Sequence, residues 1–167
     1  DSSGDGSSAH LAKILNTPVI LVVNVKGAAQ SAGAVVMGFR EFDKEVNLAG
    51  VILNNIASES HYECVKTAIE ESCSVAVLGY LNKDSDITIP ERHLGLIPSE
   101  EKKVSSDLYD KLGQMVIETI DTDRLQEIAG SPGDFPDYNK SIFINRDSLL
   151  DVTLAIARDS AFCFYYQ

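Results

Sequence analysis

TPVILVVNVKGAAQSAGAVVMGFREF, residues Thr17 to Phe42, reads as strand, turn and helix in succession. Val19 to Val23 are continuously apolar, with no alternation, and the run is too short for a membrane span. A strand buried on both faces of a parallel sheet has that pattern. Lys26, Gly27, Ala28 and Ala29 turn the chain, and Gln30 to Phe42 repeats small and apolar residues at helical spacing. This is half of a βαβ unit. Ligands of such sheets bind at the carboxyl ends of the strands, so Asn24 to Ser31 is expected to face a site.

The flanking sequence continues the alternation. On one side, Asp1 to Gly6 is a Gly/Ser/Asp loop, and Ser7 or Ser8 caps a short helix to about Leu15 that Asn16-Thr17-Pro18 stops. On the other, Leu48 to Leu53 is a strand running into Asn54-Asn55. A helix follows from Ser58 or Ser60 to about Glu71, with Tyr62, Val65 and Ile69 as its apolar stripe. Val75 to Leu78 is a third strand, ending at Gly79-Tyr80-Leu81. Asn82 to Pro98 is irregular, Glu100 to about Ile120 is helical, and a shorter helix spans Thr122 to Ala129. Ser131 to Asn139 has linker composition, and Val152 to Ala157 reads as a last strand. Strands that alternate with helices and carry unbroken apolar runs predict an α/β fold with a mainly parallel, doubly wound sheet.

The chain has 167 residues, enough for one real core. Its net charge of -11 argues against a nucleic-acid partner, because little here would neutralise a phosphate backbone. No run approaches the roughly 20 apolar residues of a membrane helix, and no signal peptide is read, so no membrane partner is expected. Cys64, Cys73 and Cys163 are odd in number and lack framework spacing, which points to a reducing, cytoplasmic setting.

The chemistry is read from what is present and what is missing. A P-loop, GxxxxGK[ST], is absent, since Lys66-Thr67 and Lys140-Ser141 lack the preceding glycine. The chain alone is therefore not expected to hydrolyse ATP, although it can form the other wall of a nucleotide site. Asn54-Asn55 at a strand end offers amides able to read a base edge, or equally to cap a turn. Lys26 meets an anion or is simply solvated. His61, Cys64 and Cys73 lack the fourth ligand of a structural zinc site, and Cys163 within Phe162-Cys163-Phe164 reads as a buried small hydrophobe. Glu91-Arg92-His93 is either a binding element beside the strand ends or a local ion pair.

Six phrases, taken in order, resemble the cobyrinic acid a,c-diamide synthase family. They are GSSAHLAKIL from Gly6, PVILVVNVKGAAQSAGAVVMGF from Pro18, AGVILNNIASESH from Ala49, LGYLNKD from Leu78, PERHLGLIP from Pro90 and VTLAIARDSAFCFYY from Val152. The resemblance implies a two-domain amidoligase, with a synthetase domain of the P-loop NTPase, dethiobiotin synthetase-like type. Such a domain uses Mg-ATP to activate the a and c carboxylates of a corrin ring as acyl phosphates. A glutaminase domain with a cysteine nucleophile then supplies ammonia from glutamine.

On this pattern residues 1–130 are the C-terminal part of the synthetase domain, 131–150 a linker and 151–167 the opening of a truncated glutaminase domain. The resemblance places Asn54 against adenine, with Asn55 beside it and Tyr80, Leu81 and Asn82 on the other side of the base pocket. Relatives usually carry proline at the position of Asn82. Ser7, Ser8, His10, Arg92 and His93 are implied on the tetrapyrrole side, and Asp1 is the candidate magnesium-site residue. Cys163 does not match the glutaminase nucleophile.

Two alternatives stay open: the same chemistry on nickel-sirohydrochlorin, or a ParA/MinD-like ATPase switch. A sheet without its P-loop strand is expected to be weakly stable or to self-associate, for example as a homodimer. A sharp, concentration-independent monomer in analytical ultracentrifugation is the result that would count against this expectation.

Overall fold

A computed structural model describes residues 6–84, 87, 91–92, 95–96, 106–131, 153 and 155–158. The elements follow in the order α1 (Ser8–Ile14), β1 (Val19–Asn24), α2 (Ser31–Phe42), β2 (Leu48–Ile56), α3 (Glu59–Cys73), β3 (Val77–Asn82), β4 (Glu91–Arg92), β5 (Gly95–Leu96), α4 (Ser106–Thr119) and α5 (Thr122–Ala129).

Strands β1, β2 and β3 form a parallel sheet in that order. Parallel neighbours must be joined by crossovers, and α2 and α3 are those crossovers. The α/β class with a parallel sheet flanked by helices is thus the observed architecture.

The core explains why these segments fold where they do. Val23 and Val25 from the β1 end, Val51 and Leu53 from β2, Ala32 and Val36 from α2, and Val65, Ile69 and Cys73 from α3 form one buried cluster. Both crossover helices therefore cover the same face of the sheet. Their close approach depends on Gly33, where an added Cβ would lie 2.9 Å from Ser72 Oγ and 3.0 Å from the Ala68 carbonyl. Arg40 of α2 donates to the Cys73 carbonyl at the end of α3, and Cys73 Sγ donates to the Gly33 carbonyl at 3.3 Å.

Burial of β1 on both faces, expected from its unbroken apolar run, is not what the described residues show. Val23 is buried toward α2 and α3, but Val22 on the opposite face is 58% exposed. Side chains alternate along a strand, and the crossover helices cover only one side. At the other edge of the sheet, the end of α4 lies along β3. Ile120 bridges to Gly79, the Asp121 N–H donates to the Leu78 carbonyl at 2.8 Å, and Thr119 Oγ1 donates to the Tyr80 carbonyl. Gly79 has φ +137°, and a Cβ there would strike Thr119 and Ile120, so only glycine permits this junction.

Helix α1 docks through Lys13, whose Nζ lies 2.7 Å from Asp43 and 3.3 Å from Glu45 at the approach to β2. The hydrogen bond from Lys13 holds the Asp43 carboxyl below its ordinary range, and Asp43 in turn raises Lys13.

Other boundaries differ from expectation. β2 continues past Leu53 to Ile56, and β3 starts two residues later than read and runs through Asn82. Helix α3 extends to Cys73, two residues beyond Glu71. Within the segment read as irregular, Glu91 pairs with Leu96 and Arg92 with Gly95 in a short antiparallel ribbon. In the segment read as a last strand, the described residues 153 and 155–157 carry no strand assignment.

Replacing Gly33 with valine should wedge α2 away from α3. We expect a loss of about 1–3 kcal/mol in urea unfolding, because the close neighbours include backbone and cannot rotate away.

Candidate functional site at the carboxyl ends of the strands

The parallel register brings the carboxyl ends of all three strands together. Asn24 of β1 is the partner of Asn54 of β2, and Asn54 is the partner of Leu81 of β3. One residue row across the sheet is therefore Asn24, Asn54, Leu81. Asn82 ends β3 beside Ile56, and the Lys83 N–H donates to the Ile56 carbonyl at 2.9 Å.

Three asparagine amides brace this row. Asn54 Oδ1 accepts the Asn55 N–H at 2.9 Å. Asn55 Nδ2 donates to Asn24 Oδ1 at 3.0 Å, and the same oxygen accepts the Lys26 N–H at 3.1 Å. Asn55 sits at φ +68°, a left-handed conformation that asparagine tolerates better than most residues. The register shift between Asn54 and Ile56 lies at this point. Of the two roles open to the Asn54-Asn55 pair, bracing a turn falls to Asn55. Beyond its bond to the Asn55 N–H, the Asn54 amide has the capacity of its two Nδ2 hydrogens and a second oxygen lone pair.

Between β1 and α2, the Val25 N–H donates to the Asn54 carbonyl at 2.9 Å and the Ala28 N–H to the Val25 carbonyl at 3.0 Å. Gly27 at φ +72° closes the turn and leaves Lys26 exposed at its tip.

The remaining predicted residues divide. Tyr80 packs its ring on Tyr62 of α3, with centroids 4.3 Å apart, and both pack against the core. Burial pushes the Tyr62 hydroxyl above its ordinary range. Ser7 caps α1: its Oγ accepts the His10 N–H at 3.1 Å, and His10 Nδ1 accepts the Gly6 N–H at 3.0 Å. Ser8 is the first residue of that helix. The backbone of Arg92 lies in β4, while its side chain, Asp1, His93 and Cys163 lie outside the described residues. Cys64 is exposed and Cys73 buried on α3.

Sequence reasoning weighed His61 only as a metal ligand. It caps α3 as His10 caps α1. Ser58 Oγ accepts the His61 N–H at 3.2 Å, and His61 Nδ1 accepts the Ala57 N–H at 3.2 Å. The shared pattern is Ser-x-x-His, a relative of the capping box in which imidazole replaces carboxylate. That spacing was a legible signal.

An open groove of about 770 Å³ lies elsewhere, between α2 and α3, lined by Gln30, Met37, Cys64 and Glu71 among others. It lacks convergent polar groups from the strand ends, so the strand-end row is the better candidate site. No helix among the described residues is long and apolar enough to cross a membrane.

A parallel sheet with crossover helices and a polar row at its carboxyl edge is an α/β architecture whose ligand crevice lies at the strand ends. A family model described as AAA domain matches residues 2–91, and the chain belongs to that family. It is 46% identical over 165 residues to the cobyrinate a,c-diamide synthase of Priestia megaterium, covering 99% of this chain and 35% of that protein. The Caldanaerobacter subterraneus enzyme of the same name is 40% identical over 167 residues, covering 100% of this chain and 36% of the relative. For Listeria monocytogenes the figures are 43% over 163 residues, 98% and 36%. The chain thus spans about a third of the length of these relatives. No solved structure matches it.

Asn55→Ala should cost about 1–2 kcal/mol in chemical denaturation, through the lost bond to Asn24 and a left-handed residue that bears a Cβ. Asn55→Gly keeps the backbone conformation and should recover part of that loss. Equal losses in the two variants would remove the backbone contribution from this account.

Proposed function

We propose that this chain is the nucleotide- and substrate-holding part of a longer amidoligase that converts the a and c carboxylates of cobyrinic acid to carboxamides. The observation that carries the reading is similarity at 40–46% identity, over essentially the whole chain, to proteins named cobyrinate a,c-diamide synthase. A carboxylate is a poor electrophile. ATP supplies the phosphoryl group that makes it an acyl phosphate, and ammonia released from glutamine then displaces phosphate to form the amide.

The residues of this chain have positioning roles in that scheme, which is most of what phosphoryl transfer asks of a protein. Asn54 presents amide donors and an acceptor to the edge of adenine, and Asn82 flanks it from the next strand. Leu81, its neighbour in the row, supplies apolar contact to the base. Asn55 acts indirectly, by bracing Asn24 and the turn that carries Lys26. Lys26 offers positive charge to an anionic ligand at the crevice. Ser7, Ser8, His10, Arg92 and His93 are assigned to the tetrapyrrole side. Asp1 is the proposed magnesium-site residue. A cytoplasmic setting and assembly as a homodimer complete the proposal.

The test uses the full-length protein with ATP and glutamine, on cobyrinic acid and in parallel on nickel-sirohydrochlorin. Mass spectrometry should show two carboxyl groups of cobyrinic acid converted to carboxamides. Conversion of nickel-sirohydrochlorin alone would keep the chemistry and change the substrate. No amidation of either, with ATPase activity stimulated by a protein or membrane partner, would replace the reading with a switch. In the active protein, Asn54→Ala should raise the Kd for ATP by about tenfold, the value of one or two hydrogen bonds.

A further inference from the structure

We propose that His61 is a positioning residue that clamps the β1–α2 turn in place at the site, an inference that rests on the function proposed above. The imidazole lies between two backbone segments from different crossovers. Its Nδ1 accepts the Ala57 N–H at 3.2 Å, at the exit of β2. Its Nε2 lies 2.6 Å from the carbonyl oxygen of Ala28, in the turn that leaves β1. A ring nitrogen that accepts a backbone N–H carries no proton. The proton therefore sits on Nε2, which donates to Ala28, and the two contacts together select one neutral tautomer.

The clamp has a rigid root and a turn to hold. His61 is in the first turn of α3, where Ser58 accepts its N–H, and the same helix buries Val65, Ile69 and Cys73 in the core. The turn it grips is otherwise held by the Asn55–Asn24 amide pair, by the Val25 N–H on the Asn54 carbonyl, by the Ala28 N–H on the Val25 carbonyl and by the packing of Ala28 against the core. Lys26 and Gly27 lie between the bonds to β2 and the His61 contact. With both ends held, the backbone of Lys26 and the start of α2 have a defined position relative to Asn54. Without His61, the Ala28 carbonyl loses its bond to α3, and the turn keeps its bonds to β2 at Asn24 and Val25.

The two bonds of the ring can be removed separately. In His61→Asn, Oδ1 stands near the place of Nδ1 and keeps an acceptor for Ala57, but nothing reaches Ala28. In His61→Gln, the longer amide reaches toward Ala28 with a donor. Hydrogen exchange and steady-state kinetics on the full-length protein separate a clamp from a simple helix cap. The expected result for His61→Asn is a melting temperature close to wild type and faster exchange of the amides of residues 26–30. The KM for ATP or for the corrin should rise about tenfold, with kcat less affected. His61→Gln should restore both readouts toward wild type.

Unchanged exchange at 26–30 in His61→Asn, or a lowered melting temperature with both KM values unchanged, would overturn the clamp and leave a cap. The exchange measurement does not depend on turnover. A wild-type protein that amidates neither ring would therefore defeat the proposed function, while the clamp would still be judged by exchange.

Discussion

The constraint on which the rest of this structure depends is the parallel register of β1 on β2. Parallel strands cannot be joined by a tight turn, so their pairing demands a helical crossover, and the carboxyl ends of the strands fall on one side. The register that sets Asn24 opposite Asn54 makes the amide row, and continuing it to β3 places Leu81 and Asn82 beside that row. The polar groups at this edge satisfy one another through Asn24, Asn54 and Asn55. Among the described residues, no buried side-chain polar atom lacks a partner.

Packing of the crossovers is the second condition. Gly33 and Ala68 let the helices approach until Ser72 and Cys73 meet α2, and Val36, Val65 and Ile69 close the core over Val51 and Leu53. The outer side of α2 is different. Val35, Phe39 and Phe42 lie at helical spacing on exposed positions, Phe42 being 94% exposed, and Val22 is exposed on the far face of the sheet. Apolar surface of this kind usually marks contact with further structure.

Most of the architecture was legible because apolar periodicity is a local property. The β1 run, the α2 repeat, the Val65 and Ile69 stripe and the helix Thr122 to Ala129 could be read directly. The strand ends could not. Asparagine and glycine disfavour strands by local propensity, so β2 was expected to stop at Leu53 and β3 at Leu78. The ladder instead carries both strands onward, with Asn54 bonded to Val25 and Ile56 to Lys83. Pairing with neighbours outweighed propensity there.

The candidate site divides in the same way. The sequence alone determined that a polar strand end at Asn54 and Asn55 would sit at the mouth of an α/β sheet, because strand–turn–helix order and the crevice rule need only local patterns. It also determined the resemblance to a family, through ordered phrases. Only the tertiary structure decided what each amide does: Asn55 turns left-handed to brace Asn24, Tyr80 turns toward Tyr62, and His61 joins Ala57 to Ala28. These contacts link residues that lie up to about thirty positions apart in the chain. Their geometry comes from strand register and helix placement, which no single segment contains.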